Sequence, residues 1–384
     1  MARWRRSYWT QLGMTASLAA LLALPLVSVA GAAAPTTTTS QGAIVGGDGI
    51  GTPMFTTVAS GSAPDNPVTL PHWSSSFTYQ GTTYPFTMVG SAPALGSATT
   101  TIPTVIVPLS FTFSNGVTLD GTSQVAPTVA SPIFQNASFS SGTTQFGDAM
   151  QRAEFWNYVS TVSPGYHVLL GAPTVLATQS YSVPSNLGVE FTGSVSGAPI
   201  GLLSYQGFNQ KVGNLLVSLH ISPGTIPIFL TFDTFLYLQS VSVCCVLGYH
   251  GATTSLNGQG MQQVNTYLYA AYSEPGIFGA LPGYPSIQDI SALSHEVAEL
   301  MNDPFVGNVV PAWSVPAEPQ YGCSNLLEVG DPLVDYDYTV NMHGVKYHPQ
   351  DIAFAPWFEK SPTSFSINGQ YTYLGTYPTY APGC

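Results

Sequence analysis

The segment ISALSHEVAELMNDPF (290–305) contains three residues, His295, Glu296 and Glu299, with the types and spacing of a helical metal site. Residues four apart lie one turn from each other on the same face of a helix, so His295 and Glu299 point the same way. In a helical zinc site two such residues bind the metal, and the glutamate beside the first ligand acts as general base. The H-E-x-x-E pattern therefore predicts His295 and Glu299 as metal ligands and Glu296 as the catalytic residue.

Local signals predict that these residues lie on a helix of about 287–302. Ser286 and Asp289 have the spacing of a capping box, and Asp303 precedes a proline, which ends a helix. The apolar residues of this segment recur with helical period and predict a core-facing stripe. The stripe consists of Ile290, Leu293, Val297, Leu300 and Met301. The two ligand positions fall on the opposite face.

The charges of this helix favour a bound cation. Glu296 and Glu299 have no Lys or Arg nearby in the sequence, so neither gains from a helical ion pair. The alternative interpretation is a surface helix with solvated polar residues, in which the pattern arises by chance.

A metal site needs a third ligand, and the downstream segment CSNLLEVGDPLVDYDY offers carboxylates. We predict Glu328 as this ligand because it stands in a short apolar run, where a carboxylate requires a partner. Asp331 and His250 are predicted as alternative ligands or as polar neighbours of the site. The remaining candidates are Asp335, Asp337, His343 and His348.

Two carboxylates among three ligands influence the choice of metal. Zinc accepts histidine and carboxylate ligands, and we expect Zn²⁺ first. Carboxylates are hard ligands, so Ca²⁺ and Mn²⁺ compete better here than at a site made only of histidines.

The first 34 residues are predicted to be a secretory signal peptide, with basic residues, an apolar run and small residues in order. The export route, general or twin-arginine, stays open, and an uncleaved membrane anchor is the alternative. Residues 35–65, rich in Thr, Gly, Ser and Ala, predict a flexible lead-in. We expect a secreted protein, extracellular, periplasmic or associated with the cell wall, without a membrane span after cleavage.

Removal of the signal peptide leaves four basic residues, Arg152, Lys211, Lys346 and Lys360, against nineteen acidic ones. This balance argues against electrostatic binding to nucleic acid or to an anionic membrane. A chain with so few charged groups is also suited to acid conditions, because fewer groups titrate.

The four cysteines are Cys244, Cys245, Cys323 and Cys384. An even number in an exported chain favours disulfides, and four cysteines allow three pairings. Adjacent cysteines bond to each other only with distorted geometry. We therefore expect Cys244 and Cys245 to pair elsewhere, or one of them to stay buried and free.

The distribution of strand and helix signals predicts an α+β fold, mostly β with a few helices. TTTIPTVIVPLSFTF (99–113) predicts two strands with a bend, and QQVNTYLYAAYSE (262–274) predicts a strand. Four segments between 165 and 240 predict short strands: YHVLLG, GLLSYQ, NLLVSLH and TIPIFLTFDTFLYL. A helix is predicted over FGDAMQRAEFWNYVST (146–161). We expect one domain over 66–384 with its metal site in the half spanning about 225–384.

SHEVAELMNDPFVGNVVPAW followed by LLEVGDPL resembles the helix and downstream segment of the EXORDIUM/phosphate-induced protein family and its bacterial relatives. FDTFLYLQSVSVCCVLGYHG resembles that family's stretch of aspartate, aromatics and cysteines ending in histidine. The resemblance implies an extracellular protein with a zincin-like core, its H-E-x-x-E helix packed on a mixed sheet. It implies metal-site roles for His295, Glu296, Glu299, Glu328 and Asp331, with His250 nearby.

These observations lead to three functional expectations. The first is an exported zinc-dependent peptidase or related hydrolase acting on a peptide or cell-wall-type substrate, with Glu296 as base. The second is a non-enzymatic extracellular or cell-wall-associated binding protein with a structural metal. The third is a metal-free structural protein in which the pattern is accidental.

Overall fold

A computed structural model describes residues 37–40, 54–58, 68–256, 259–316 and 322–384, with the first two ranges described as backbone only. The predicted signal peptide, 1–34, lies outside the described residues. The predicted lead-in, 35–65, contains two described strands, and its other residues lie outside the description. No helix of the described residues is long and apolar enough to cross a membrane.

The described residues contain 22 strands and six α-helices. The first eleven strands are β1 (Thr37–Ser40), β2 (Met54–Val58), β3 (His72–Tyr79), β4 (Thr82–Val89), β5 (Thr99–Ile102), β6 (Thr104–Phe113), β7 (Thr118–Asp120), β8 (Ala137–Phe139), β9 (Gly142–Thr144), β10 (His167–Leu170) and β11 (Thr174–Val175). The others are β12 (Gln179–Val183), β13 (Gly188–Thr192), β14 (Pro199–Ser204), β15 (Ile226–Phe232), β16 (Thr234–Tyr237), β17 (Cys244–Leu256), β18 (Gln262–Tyr272), β19 (Val309–Ser314), β20 (Cys323–Leu326), β21 (Val340–Met342) and β22 (Val345–Tyr347). The helices are α1 (Val125–Val129), α2 (Phe146–Glu154), α3 (Trp156–Val159), α4 (Tyr205–Ser218), α5 (Ser291–Asn302) and α6 (Ala355–Phe358).

Twelve strands form one mixed sheet, whose central path is β11-β6-β15-β18-β17-β16-β14-β13. β15 is parallel to β6 and β18, whereas β17 is antiparallel to β18 and β16. β7 and β12 pair with β6, and β2 pairs with β17 and with β1. The predicted α+β class, mostly β, is confirmed.

Helix α5 lies against β17 and β18 of this sheet and against α2. Its predicted core stripe is buried throughout. The α2 contact is close at Gly147, where an added Cβ would lie 2.6 Å from Met301 Sδ and 3.1 Å from Val297 Cγ1. Glycine at this position therefore lets the two helices pack directly.

Several predicted elements are confirmed. The strand pair of 99–113 is β5 and β6, separated at Pro103, which has no N–H for a sheet ladder. Residues 262–272 form β18, the strand that the aromatic alternation predicted. YHVLLG contains β10, GLLSYQ contains the end of β14, and TIPIFLTFDTFLYL contains β15 and β16.

The prediction of a strand at NLLVSLH (214–220) is wrong, because most of this segment ends helix α4. The buried residues of α4 recur every three or four positions, a helical period that a seven-residue window does not reveal. They are Tyr205, Phe208, Val212, Leu215 and Leu216.

The single helix predicted over 146–161 is divided into α2 and α3 at Phe155, whose φ of −97° and ψ of 32° are not helical. The carbonyl oxygen of Glu154 accepts a hydrogen bond from Ser366 Oγ, and its carboxylate accepts one from the Ala355 N–H. Hydrogen bonds with residues distant in sequence therefore hold the chain at the end of α2.

Cys244 is bonded to Cys245, and Cys323 is bonded to Cys384. The expectation that the adjacent cysteines pair elsewhere is wrong. The two residues are joined by a cis peptide bond, and their Cα atoms are 3.0 Å apart. The second disulfide joins the start of β20 to residue 384.

Candidate metal centre

Helix α5 brings His295, Glu296 and Glu299 to one buried site. His295 Nε2 and Glu299 Oε1 are 3.1 Å apart, as expected for residues four apart on one face. All twelve residues of the helix are buried, because the sheet covers one side and the chain after 327 contributes to the other. The alternative of a solvated surface helix is therefore wrong.

The helix begins at Ser291, four residues later than predicted, and the capping box is absent. Asp289 has a φ of +42°, and its carboxylate accepts hydrogen bonds from the ring and the backbone N–H of His348. This long-range contact holds the carboxylate away from the capping position. The predicted stop is confirmed, since Asp303 follows the last helical residue and its carboxylate accepts from the N–H groups of Gly307 and Asn308.

Strand β17 contributes His250, which lies over the helix carboxylates. His250 Nδ1 is 3.3 Å from Glu296 Oε2 and 3.4 Å from Glu299 Oε2. Gly248 lies two residues earlier on the same strand, and a Cβ there would be 2.6 Å from Glu296 Oε1. The missing side chain at Gly248 is what allows Glu296 to pack against the strand.

The chain after β20 contributes Asp331 and Gly330. Asp331 Oδ1 is 3.7 Å from His295 Nε2, and the Gly330 N–H donates to Glu299 Oε1 over 3.2 Å. A Cβ at Gly330 would overlap the imidazole ring of His295. This loop therefore approaches the helix closely only because residue 330 is glycine.

Glu328, the predicted third ligand, is buried beside the site, and its charge interacts with Glu299 and His250. Within the part of the chain that the structure describes, neither of its carboxylate oxygens has a hydrogen-bond partner. No compact group of possible metal ligands among the described residues includes Glu328, so its role as a ligand stays a prediction.

Gln350 orients His295, a role that sequence reasoning missed. Gln350 Nε2 donates to the carbonyl oxygens of Gly330 and Asp351, so Oε1 is the atom 3.1 Å from His295 Nδ1. Nδ1 is then the donor, and Nε2 is the nitrogen directed at Glu299. The only local signal is a polar run, HPQD, ahead of an apolar segment.

The other four predicted candidates do not join His295, Glu296 and Glu299 as possible metal ligands. The ring of His348 is hydrogen-bonded to the carboxylate of Asp289. Asp337 accepts a hydrogen bond from Ser291 Oγ at the start of the helix. His343 is exposed in the turn between β21 and β22. Asp335 is buried near Asp337, where the two charges interact.

Two groups of possible ligands result, and they share one residue. His295, Glu299 and Asp331 form the His295 group, and His250, Glu296 and Glu299 form the His250 group. Within each group one ligand atom per residue lies within 4.8 Å of the others, and all are buried. Histidine nitrogens with carboxylate oxygens are a donor set for zinc and other divalent ions, so these residues could hold a metal.

Burial and neighbouring charges shift the acidities of the helix residues. Burial raises the pKa of Glu296 to about 7, although the hydrogen bond from His250 opposes this. Burial also opposes ionisation of Glu299, but the charge of His295 and the hydrogen bonds from both histidines hold its pKa well below the usual range. Burial lowers the pKa of His250, but the hydrogen bonds with Glu296 and Glu299 raise it. The pKa of His250 therefore lies well above its usual range.

The pKa values of the downstream carboxyl groups shift in the same direction as that of Glu296 and opposite to that of Glu299. Burial, followed by the negative charge of Glu299, raises the pKa of Glu328 and of Asp331 well above the usual range. Both oxygens of Asp331 lack a hydrogen-bond donor among the described residues. A cation beside these groups would supply the partner that the described residues do not.

No family model, curated protein or solved structure matches this chain. The resemblance to the EXORDIUM/phosphate-induced protein family, and the zincin-like core that it implies, therefore stay predictions.

Proposed function

We propose that this chain is an exported metal-binding protein whose second half holds a divalent ion. Zn²⁺ fits the mixed histidine and carboxylate donors, with Ca²⁺ or Mn²⁺ as alternatives. The observation that carries the proposal is the convergence of two histidines and several carboxylates at a fully buried site. Export is proposed from the signal-peptide pattern, and the two disulfides support an oxidising compartment.

A structural role for the ion agrees best with the burial. The residues of both ligand groups are at most 1% exposed. They come from strand β17, helix α5 and the loop after β20, so an ion in either group would join α5 to one element that is distant in sequence. Metal binding to the folded state alone stabilises that state.

Metal analysis and thermal unfolding test this role. Protein purified without chelator should contain at least one equivalent of divalent metal, and its removal should lower Tm by several degrees. Glu299→Gln should lose the metal, whereas Glu274→Gln, a change at an exposed carboxylate, should keep it. Metal content below about a tenth of an equivalent in native and zinc-incubated protein would exclude the proposal.

The second candidate is a metal-dependent hydrolase of peptide bonds, with Glu296 as general base. It is favoured by the position of Glu296 beside both histidines and by its pKa of about 7, near the value for proton transfer at neutral pH. Zinc, when bound, would polarise the carbonyl of a peptide or cell-wall-type substrate. A substrate must reach the buried carboxylate of Glu296. This activity therefore requires that the chain after residue 327, which covers one side of α5, move away from the helix.

Assays on peptide and ester libraries distinguish the two roles. Hydrolysis by metal-loaded protein that disappears in Glu296→Gln supports the hydrolase. Complete inactivity of clean, metal-loaded protein leaves the structural role alone.

A further inference from the structure

The carboxylate of Glu299 lies between the two histidines and presents a different oxygen to each. Oε1 is 3.1 Å from His295 Nε2, and Oε2 is 3.4 Å from His250 Nδ1. Each histidine also has a second carboxylate on its own side, Asp331 for His295 and Glu296 for His250. The His295 group and the His250 group are therefore two similar sets of three residues, or triads, that share Glu299.

The spacing of the histidines argues against one ion held by both. No group of ligand atoms within 4.8 Å, among the described residues, contains both histidines. Zinc bonds to nitrogen and oxygen are about 2.0–2.2 Å, so two atoms on one ion lie at most about 4.4 Å apart. One ion in either triad would leave the other histidine outside its reach.

The buried charge points to more than one cation. Four carboxylates, Glu296, Glu299, Glu328 and Asp331, are at most 1% exposed and would carry a formal charge of −4 when ionised. One divalent ion cancels half of this charge, and two cancel all of it. Uncompensated charge in a buried site is strongly unfavourable.

Three of the four basic residues of the described chain have partners outside the site, and the fourth is exposed. Arg152 donates to backbone carbonyls, including that of Pro164, and Lys360 donates to the Ala312 carbonyl. Lys211 lies over the ring of Tyr181, and Lys346 is exposed. Every ion pair of a carboxylate within the described residues is made with a histidine.

We propose that the centre binds two divalent ions, one in the His295 group and one in the His250 group, with Glu299 shared between them. This inference rests on the proposed metal binding and adds a second ion position. At that second position Glu296 is a ligand, so a second ion would prevent it from acting as a base.

Stoichiometry is the first test. The purified chain is stripped with chelator and titrated with Zn²⁺, and the bound metal is counted by calorimetry and by mass spectrometry after gel filtration. Two equivalents are expected. One equivalent would overturn the second position and leave the proposed metal binding intact, whereas no binding would overturn both.

Electron paramagnetic resonance with Mn²⁺ provides a second readout that does not depend on any variant. Two Mn²⁺ ions sharing a carboxylate couple their spins, which weakens the signal of isolated Mn²⁺ as the second equivalent is added. A signal that grows in proportion to bound Mn²⁺ up to saturation would contradict a shared ligand.

Variants assign each ion to its triad. Glu296→Gln should reduce the count from two to one, and so should Asp331→Asn, while Glu274→Gln should keep two. Glu296→Gln protein that still binds two ions would show that Glu296 is no ligand. Circular dichroism of each variant checks folding, and a variant that fails to fold is judged by the wild-type stoichiometry and spin coupling alone.

Discussion

Gln350 determines which nitrogen of His295 is directed at the carboxylates. Its amide group is held by the carbonyl oxygens of Gly330 and Asp351, so its oxygen accepts from His295 Nδ1. A histidine that donates one ring N–H to a fixed acceptor presents the other nitrogen as a ligand in a defined orientation. Gln350 is thus a positioning residue, which would act on a bound metal only through His295.

Gln350→Ala should weaken Zn²⁺ binding by about 10–100-fold, because the ring of His295 loses its orientation. Competition against a zinc-binding dye measures the Kd. Gln135→Ala is the control, since that exposed amide donates a hydrogen bond to the Val129 carbonyl and belongs to neither ligand group. An unchanged Kd in folded Gln350→Ala protein would show that the orientation of His295 is set by other contacts.

Strand β17, helix α5 and the loop after β20 meet at two glycines. Gly248 lies against Glu296, and Gly330 lies against the ring of His295. The backbone of Gly330, with φ −85° and ψ −35°, is one that any residue adopts. The requirement for glycine at 330 is therefore one of space between two elements.

Gly330→Ala should displace the imidazole of His295 and lower both zinc affinity and stability, the latter by about 1–3 kcal/mol. Denaturant unfolding of metal-free protein and zinc titration measure the two effects. Gly213→Ala on helix α4 is the matched control, because nothing lies within 4 Å of its added Cβ. That control should be neutral or slightly stabilising. Equal behaviour of the two variants would contradict the close packing at Gly330.

At the scale of the whole molecule, the described residues include buried carboxyl groups outside the candidate metal centre as well. Burial raises the pKa of Glu154 to about 8, and that of Asp233 and of Asp351 to about 7. Between the unfolded and folded pKa values, the folded state binds more protons than the unfolded chain. Each group therefore stabilises the protein fully below its unfolded pKa, and this stabilisation is lost as pH rises through the folded pKa.

Metal-free protein should consequently lose stability between about pH 4.5 and about pH 8, with Glu154 contributing on the order of a few kcal/mol. Denaturant unfolding across this range measures the slope. Glu154→Gln, which mimics the protonated carboxyl, should flatten it, and Gln135→Ala, at an exposed amide that does not titrate, should leave it unchanged. An identical slope in Glu154→Gln and wild type would contradict protonation of Glu154 in the folded state.

Local sequence patterns predicted the elements that depend on neighbouring residues. The period of four in HEVAE placed His295 and Glu299 on one helical face, and Asp303-Pro304 marked the helix end. Alternating aromatics predicted β18, and Pro103 predicted the break between β5 and β6. Such patterns succeed because dihedral preferences and side-chain period act within a few residues.

Only the tertiary structure decided which distant residues meet the helix. His250 lies 46 residues before Glu296, and Gln350 lies 55 residues after His295, separations that no local period encodes. A further long-range contact, the hydrogen bonds between Asp289 and His348, moved the helix start. The loop after β20 placed Asp331 within the His295 group. The sequence by itself predicted the helix, its two ligand positions, and Glu328, Asp331 and His250 as further candidates. The folded chain decided their burial, their partners and the second triad, because these depend on which strands and loops pack against that helix.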